Sequence, residues 1–319
     1  MNTKTLCAAI GLTALLCLAS CNHKSIDFDY TGNTRLKVNF DWQNAPEAEP
    51  VTMSLYLFPD DDDESQRYEF TNKSGGDIQA AYGEYTAICL NSYTEHIEYR
   101  NTDSQSTFEL TTGTTTLLRS ISTLGVRSSS APRAAGTEDE RIAYSPDPSW
   151  TDHNESVAVI YGDTTRSVTF YPSPCYCIYT VKIVNCENLE YVSATDGSIS
   201  GMAGGWIPAQ EALSSEKVTI PFSTVIGEDY TTLTAEFTTF GHCPDNEEGT
   251  HTLMIYAVLA DGNKYSYSYD VTEQVHGASD PYHVLIELDG LPLPQPIENG
   301  SGMQPEVDGW SQENVYVDM

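Results

Sequence analysis

The stretch LKVNFDW, residues 36–42, decides the fold. Leu36, Val38, Phe40 and Trp42 alternate with Lys37, Asn39 and Asp41. Successive side chains of an extended chain point to opposite faces, so this segment has one apolar and one wet face, the pattern of a half-buried strand. After the turn-like QNAPEAEP (43–50), VTMSLYLFP (51–59) is apolar almost throughout. A strand of that composition is covered on both sides, which predicts a more deeply buried neighbour for the first.

The same signal continues outward. Short strands are predicted at 66–71, 83–90, 95–100, 107–110 and 114–118, each bounded by Gly, Asn, Asp or Ser. VRSSSAPRAAGTEDE (126–140) is small, polar and aperiodic, a linker or a long exposed crossing. A second series opens near Val157 with SVAVIYG and runs through TRSVTFYP, CIYTVKIVN, YVSATD, KVTIPFS, LTAEFTTFG, HTLMIYAVLADG and KYSYSYDVT to YHVLIELDG. The one helical candidate is a single turn in DVTEQV (270–275). Regular short strands with turn signals between them mark sandwiches or barrels, and 319 residues have room for two. The expectation is an all-β chain with two tandem β-sandwiches, at 36–136 and 137–294, and a C-terminal tail at 295–319. The halves share no alignable repeat.

The N-terminus carries an address. Lys4 precedes an apolar run from Leu6 to Leu18, too short for a membrane anchor, and small residues follow. The tetrad Leu18-Ala19-Ser20-Cys21 resembles the bacterial lipobox. That resemblance implies a signal peptide at 1–20 and an acylated thiol at Cys21 carrying palmitate-type chains. Residues 21–35 are then a tether. Two or three acyl chains, at about 0.8 kcal/mol per buried methylene, hold stably to a membrane. The formal charge of −31 repels phosphate backbones and anionic headgroups, which excludes nucleic-acid binding and leaves membrane attachment to the lipid.

Chemistry is sparse. GSISG (197–201) has Ile199 where a hydrolase elbow needs its serine. GMAGGW (201–206) lacks the lysine of a phosphate loop, and its small residues mark a turn or a close backbone approach. His242, Cys243 and His251 sit in a hydrophilic loop at no metal-ligand spacing, and read as a solvated hairpin. PDDDDE (59–64) lacks the glycine and distal glutamate of a calcium loop, and reads as an acidic hairpin tip. No catalytic residue, metal ligand or cofactor is expected, and the chain is expected to be non-enzymatic. Cys89, Cys175, Cys177, Cys186 and Cys243 are odd in number, so at least one thiol is free. A bridge from Cys175 or Cys177 to Cys186 and a set of buried free thiols both remain open.

Several segments in order resemble the Bacteroidetes fimbrillin-associated lipoproteins. They are LKVNFDW with MSLYLFPDD, SPDPSW (145–150), GSISGMAGGW, AEFTTFG, YAVLADGNKYSYSYDVTEQV and LIELDGLPLP. The resemblance implies two transthyretin-like, Greek-key sandwiches, export to the outer membrane and cell surface, and a place among type V pilus subunits and anchors. Such subunits join by strand exchange. A protease cuts after a basic residue, the first strand leaves, and a neighbour's strand fills its groove, held by main-chain hydrogen bonds and side-chain pockets.

On that pattern Leu36, Val38, Phe40 and Trp42 are the groove-filling side chains. The following loop, 43–50, holds no Arg or Lys, and Arg35 precedes the strand, where a cut frees its tether without removing it. A trypsin-like enzyme therefore cannot release the strand, which suits an anchor or accessory subunit. The tail alternates Val315, Val317 and Met319 with Tyr316 and Asp318. It is either a donor strand for a fimbrial partner or an edge strand of its own domain. A surface lipoprotein that captures a glycan or host protein is the alternative function. Its candidate stacking surfaces are Trp206 with Tyr230 and the ladder Tyr265, Tyr267, Tyr269.

Overall fold

In the computed structural model the protein is described over residues 32–59, 64–127, 131–160, 162–163, 166–244, 249–296 and 309–315. Over these residues the chain is all-β, with five sheets. Alternation does what period two requires. The first strand, Asn33–Phe40, buries every second residue, and Thr52–Pro59 is buried along nearly its whole length.

The first sandwich packs a three-stranded sheet on a five-stranded one. The small sheet has Asn33–Phe40 in its centre, parallel to Ser167–Phe170 and antiparallel to Gly75–Ala81. The larger sheet runs Ser173–Pro174, Trp150–Val159, Gly83–Ser92, Thr52–Pro59, Gln66–Phe70. Leu36, Val38 and Phe40 meet Met53, Leu55, Leu57, Ala87 and Val157 between them. Gly75 turns the chain next to the first strand at φ +99°, and a Cβ there would sit 2.2 Å from the Val38 carbonyl oxygen. Only glycine fits that approach.

The second sandwich packs Val225–Ile226, Leu233–Thr239, Cys177–Glu187, His283–Pro292 on a six-stranded sheet. The six run Trp310–Asn314, Lys264–Asp270, Thr252–Leu259, Val192–Ala203, Lys217–Ser223, Arg141–Ile142. A fifth sheet stitches the halves: Glu109–Thr112 pairs with Gly205–Ile207. It covers the outer face of the first sandwich, where Tyr56, Phe58, Ile88 and Leu90 pack on Phe108 and Leu110. Thr52–Pro59 is therefore apolar on both faces because it serves two cores. Glu216 ties the seam, accepting from Arg141 Nε at 2.7 Å and Arg100 Nη1 at 2.9 Å. Burial pushes its carboxyl up, but the two guanidiniums outweigh this and hold it below the usual glutamate range.

Several expectations need correction. The second series is expected to open near Val157, yet Trp150–Val159 and Ser167–Phe170 hydrogen-bond to Gly83–Ser92 and Asn33–Phe40. Strand pairing therefore does not change hands at 136–137. Alternation encodes which face a residue takes, not which sheet its strand joins. The polar run at 126–140 is no free linker over its described residues: Ala134 and Thr137 are buried. Ala134 lies with Leu117, Leu118 and Ile121 on Met254, Tyr256 and Val258. The strand expected at 114–118 reduces to a single bridge, Thr114 to Ala143. Gly75–Ala81 went unpredicted because its glycine pair reads as a turn.

All five described cysteines are buried, and none of the five is in a disulfide. Burial pushes Cys175 up to about 12, and Cys177 and Cys186 up to about 11. The thiolate is the reactive form, so a disulfide reagent at pH 8 will modify these thiols at least about a hundredfold slower than a free cysteine. All five will react once guanidinium unfolds the chain. A fast-reacting thiol in the native protein would contradict this burial.

Candidate functional site

The first strand is held on both edges and on its inner face. Its register runs Leu36 to Ile78 and Val38 to Gly76 on one side, and Val38 to Val168 and Phe40 to Phe170 on the other. Leu36, Val38 and Phe40 are 1%, 0% and 5% exposed. The Phe40 ring meets Phe70 edge-on at 5.2 Å. Trp42 corrects the expectation of a seven-residue strand: the strand stops at Phe40, and Trp42 lies beyond it, half-buried. There its Nε1–H donates to the Lys73 carbonyl at 2.8 Å and its ring packs edge-on to Trp150 at 6.2 Å.

Arg35 lies inside this strand rather than before it. Its guanidinium donates to Asp77 at 2.5 Å, and that hydrogen bond holds the Asp77 carboxyl below the usual range. The loop after Phe40 folds back through Ala45 N–H to Trp42 O and Ala48 N–H to Ala45 O. Lys73 donates to the Ala48 carbonyl. The chain leaving the strand at Phe40 is thus tied back to the sheet.

The C-terminal strand is held far more lightly. Trp310–Asn314 runs parallel to Lys264–Asp270 at the edge of the six-stranded sheet. Ser311, Gln312, Glu313 and Asn314 are exposed. Its side-chain anchors are Trp310, edge-on to Tyr256 at 5.6 Å, and Val315, partly buried on the second core. Val315 N–H also donates to the Ser268 carbonyl. Of the two readings left open for the tail, the described residues adopt the edge strand. Cys21, Val317 and Met319 lie outside the described residues, as do Asp60 to Asp63 of the acidic tip.

The remaining candidates dissolve into packing. Tyr267 and Tyr269 are fully buried, donating to the Pro292 and Gly290 carbonyls, and Tyr265 is partly buried on the same core. They form no stacking ladder. Trp206 is half-buried and donates to Thr151 Oγ1, while Tyr230 is exposed in a turn at φ +56°. Ser198 and Ser200 of GSISG are buried in a central strand. Cys243 and His251 are also fully buried, so the loop that carries them is not simply a solvated hairpin. Among the described residues no helix is long and apolar enough to cross a membrane.

A family model described as "Domain of unknown function (DUF5119)" matches residues 20–223. A protein of Bacteroides ovatus provisionally named fimbrium anchoring subunit Fim4B is 22% identical over 95% of each chain. This bears out the likeness to fimbrial proteins read from the ordered segments. A crystal structure from Bacteroides ovatus, provisionally named an adhesin, superposes with a TM-score of 0.59 at 19% identity. It covers 82% of this chain and 94% of the other. A Bacteroides thetaiotaomicron structure whose provisional name is polysaccharide-binding protein has a TM-score of 0.50 at 11% identity, over 80% and 90% of the two chains. At these identities the two structures share the fold with this chain.

Proposed function

We propose that this chain, which belongs to the DUF5119 family, is a non-enzymatic, lipid-anchored surface subunit that holds a fimbria by β-strand addition. In this reading Cys21 carries the acyl chains in the outer membrane, and the two sandwiches follow transthyretin-like paths. The first strand stays in its own groove, and the C-terminal strand is offered to a neighbouring subunit. The anchoring role named for the Bacteroides ovatus relative supports the fimbrial part.

The observation that carries the reading is the contrast between the two strands. Asn33–Phe40 is a buried central strand that carries two basic residues, of which Arg35 is ion-paired and in register with Gln79. A protease needs several extended residues in its cleft, so cutting there requires the strand to peel away first. Lys37 lies deeper in the same ladder, paired with Ser167 and Asp77. The loop at 43–50 offers no basic residue. Trp310–Asn314, by contrast, leaves with few buried contacts, and alternate side chains of an extended tail are what a partner's groove accepts.

Deleting residues 304–319 tests this. The truncated protein will stay folded and membrane-bound, with an unfolding midpoint within a few degrees of the full chain, since an exposed edge strand adds little to the cores. It will no longer co-purify with fimbrial subunits from its own cells. Survival of that co-purification sinks the donor-strand proposal. Capture of a glycan or host protein has less support, because the tyrosines that suggested a stacking platform are core residues.

A further inference from the structure

The edge strand Trp310–Asn314 fills a site that the rest of the chain builds without it. Its register runs Lys264 to Trp310, Ser266 to Gln312 and Ser268 to Asn314. Val315 N–H donates to the Ser268 carbonyl, so the backbone groups of Ser268 and, two residues back, of Ser266 face this edge. We infer that the outer edge of Lys264–Asp270 is an acceptor site for an extended, parallel peptide, and that the C-terminal strand of a second copy of this chain is the peptide it takes.

The site reads two side chains, one on each face. Trp310 and Val315 are an odd number of residues apart, so they leave the strand on opposite sides. Trp310 takes the outer face, edge-on to Tyr256 at 5.6 Å and packed on the cluster that holds Met254, Tyr256 and Val258. Ser266 stands between Tyr256 and Gln312 in register, and its small, buried side chain leaves the indole room to reach across the strand. Val315 takes the inner face, partly buried on the second core. Main-chain hydrogen bonds supply the affinity of such an edge and the two apolar contacts supply its register, with tryptophan the strongest kind of anchor.

The walls do not depend on the strand that fills them. Tyr256 O–H donates to the Pro132 carbonyl at 2.9 Å, and the Ser198 hydroxyl lies 3.2 Å from it. Tyr267 and Tyr269 pin Lys264–Asp270 from within, donating to the Pro292 and Gly290 carbonyls of the facing sheet. Ser311 to Asn314 are exposed, so the occupant leaves without dismantling a core. Residues 297–308, at about 3.3–3.6 Å each, reach up to roughly 40 Å, enough to carry the strand onto a neighbouring copy. Exchanging an identical element creates no new contact, which makes it a low-cost route to association. A copy whose strand serves a fimbrial partner leaves this edge unpaired, and a second copy's strand restores the pairing. That use in assembly rests on the donor-strand reading above; the site itself does not.

The test uses the full chain carrying Trp310→Ser and Val315→Ser, which weaken its own strand, and a dye-labelled peptide of residues 308–316. The native peptide will bind saturably by fluorescence anisotropy, and one carrying Trp310→Ser at least about tenfold more weakly. The native chain will take up the native peptide several-fold more weakly, because its own tethered strand competes at an effective concentration near the millimolar range. Full chains carrying Ser268→Cys and Asn314→Cys, mixed and mildly oxidised, will form a disulfide-linked pair, since these positions face each other in register and the five described native cysteines are buried. Absence of saturable binding, or equal binding of the two peptides, overturns the site. Peptide binding without a link between chains overturns the second copy as its source. Either failure leaves the donor-strand reading standing, because that reading falls only if fimbrial co-purification survives deletion of residues 304–319.

Discussion

Excising residues 33–41 from the full chain will unfold the first sandwich, and a synthetic peptide of residues 32–42 supplied in trans will restore it. The excised segment is the centre of a three-stranded sheet, so its loss leaves Ser167–Phe170 and Gly75–Ala81 with no partner in that sheet. Both would present unpaired backbone groups at a buried interface, each costing about as much as a lost hydrogen bond. The apolar loss is larger. Leu36, Val38 and Phe40 are each nearly or fully buried, and each contributes roughly 1.5–3 kcal/mol by burial. Together they approach the roughly 5–15 kcal/mol that holds a whole domain folded.

The groove that remains has a fixed register and apolar pockets, which is what a strand added in trans requires. Protease resistance and near-ultraviolet circular dichroism will report the loss and the rescue. A peptide carrying Val38→Asp will fail, because its carboxylate must enter a fully covered position. Rescue by that peptide as good as by the native one, or an excised chain with a native unfolding midpoint, would show that no specific groove exists. The outcome bears on function, since a groove that accepts the chain's own strand is shaped to accept a neighbour's.

How much of this was legible in the sequence depended on the range of the interaction. Asn33–Phe40 and Thr52–Pro59 were readable because alternation and full apolarity are local consequences of burial. The partners of Trp150–Val159 were not, since a strand with one apolar face satisfies either sandwich equally and only tertiary pairing decides. The crossing at 131–140 looked free because few of its side chains are apolar. Yet the Pro132 carbonyl accepts from Tyr256 and Glu140 from Thr219, contacts that composition cannot announce. Trp310 escaped notice for the same reason. It lies far along the chain from Tyr256, and only the fold brings the two rings together. Val38, by contrast, needed nothing but its neighbours two residues away.

Gly197→Val will be the most damaging small change in the second sandwich, and its cause can be isolated. Gly197, the first residue of GSISG, is a place of close approach that the sequence does not announce. It pairs across the sheet with Phe222, and a Cβ there would lie 2.2 Å from that ring. An aromatic ring laid over a cross-strand glycine covers backbone that would otherwise lack packing. The ring has nowhere to retreat, because Phe237 stacks on it at 4.2 Å with only 1° between planes, and Tyr179 stacks behind at 5.8 Å. Overpacking a rigid core costs about 1–3 kcal/mol per intrusion, and the branched valine adds more than alanine would. Gly197→Ala will therefore lower the unfolding midpoint by several degrees, and Gly197→Val by clearly more. If steric conflict with the ring is the cause, Phe222→Leu will cost stability alone but recover part of the loss when combined with Gly197→Ala. The double mutant will then be more stable than the sum of the single effects allows. Strict additivity would move the cause to the backbone, where glycine's freedom rather than the ring above it would be what the strand needs.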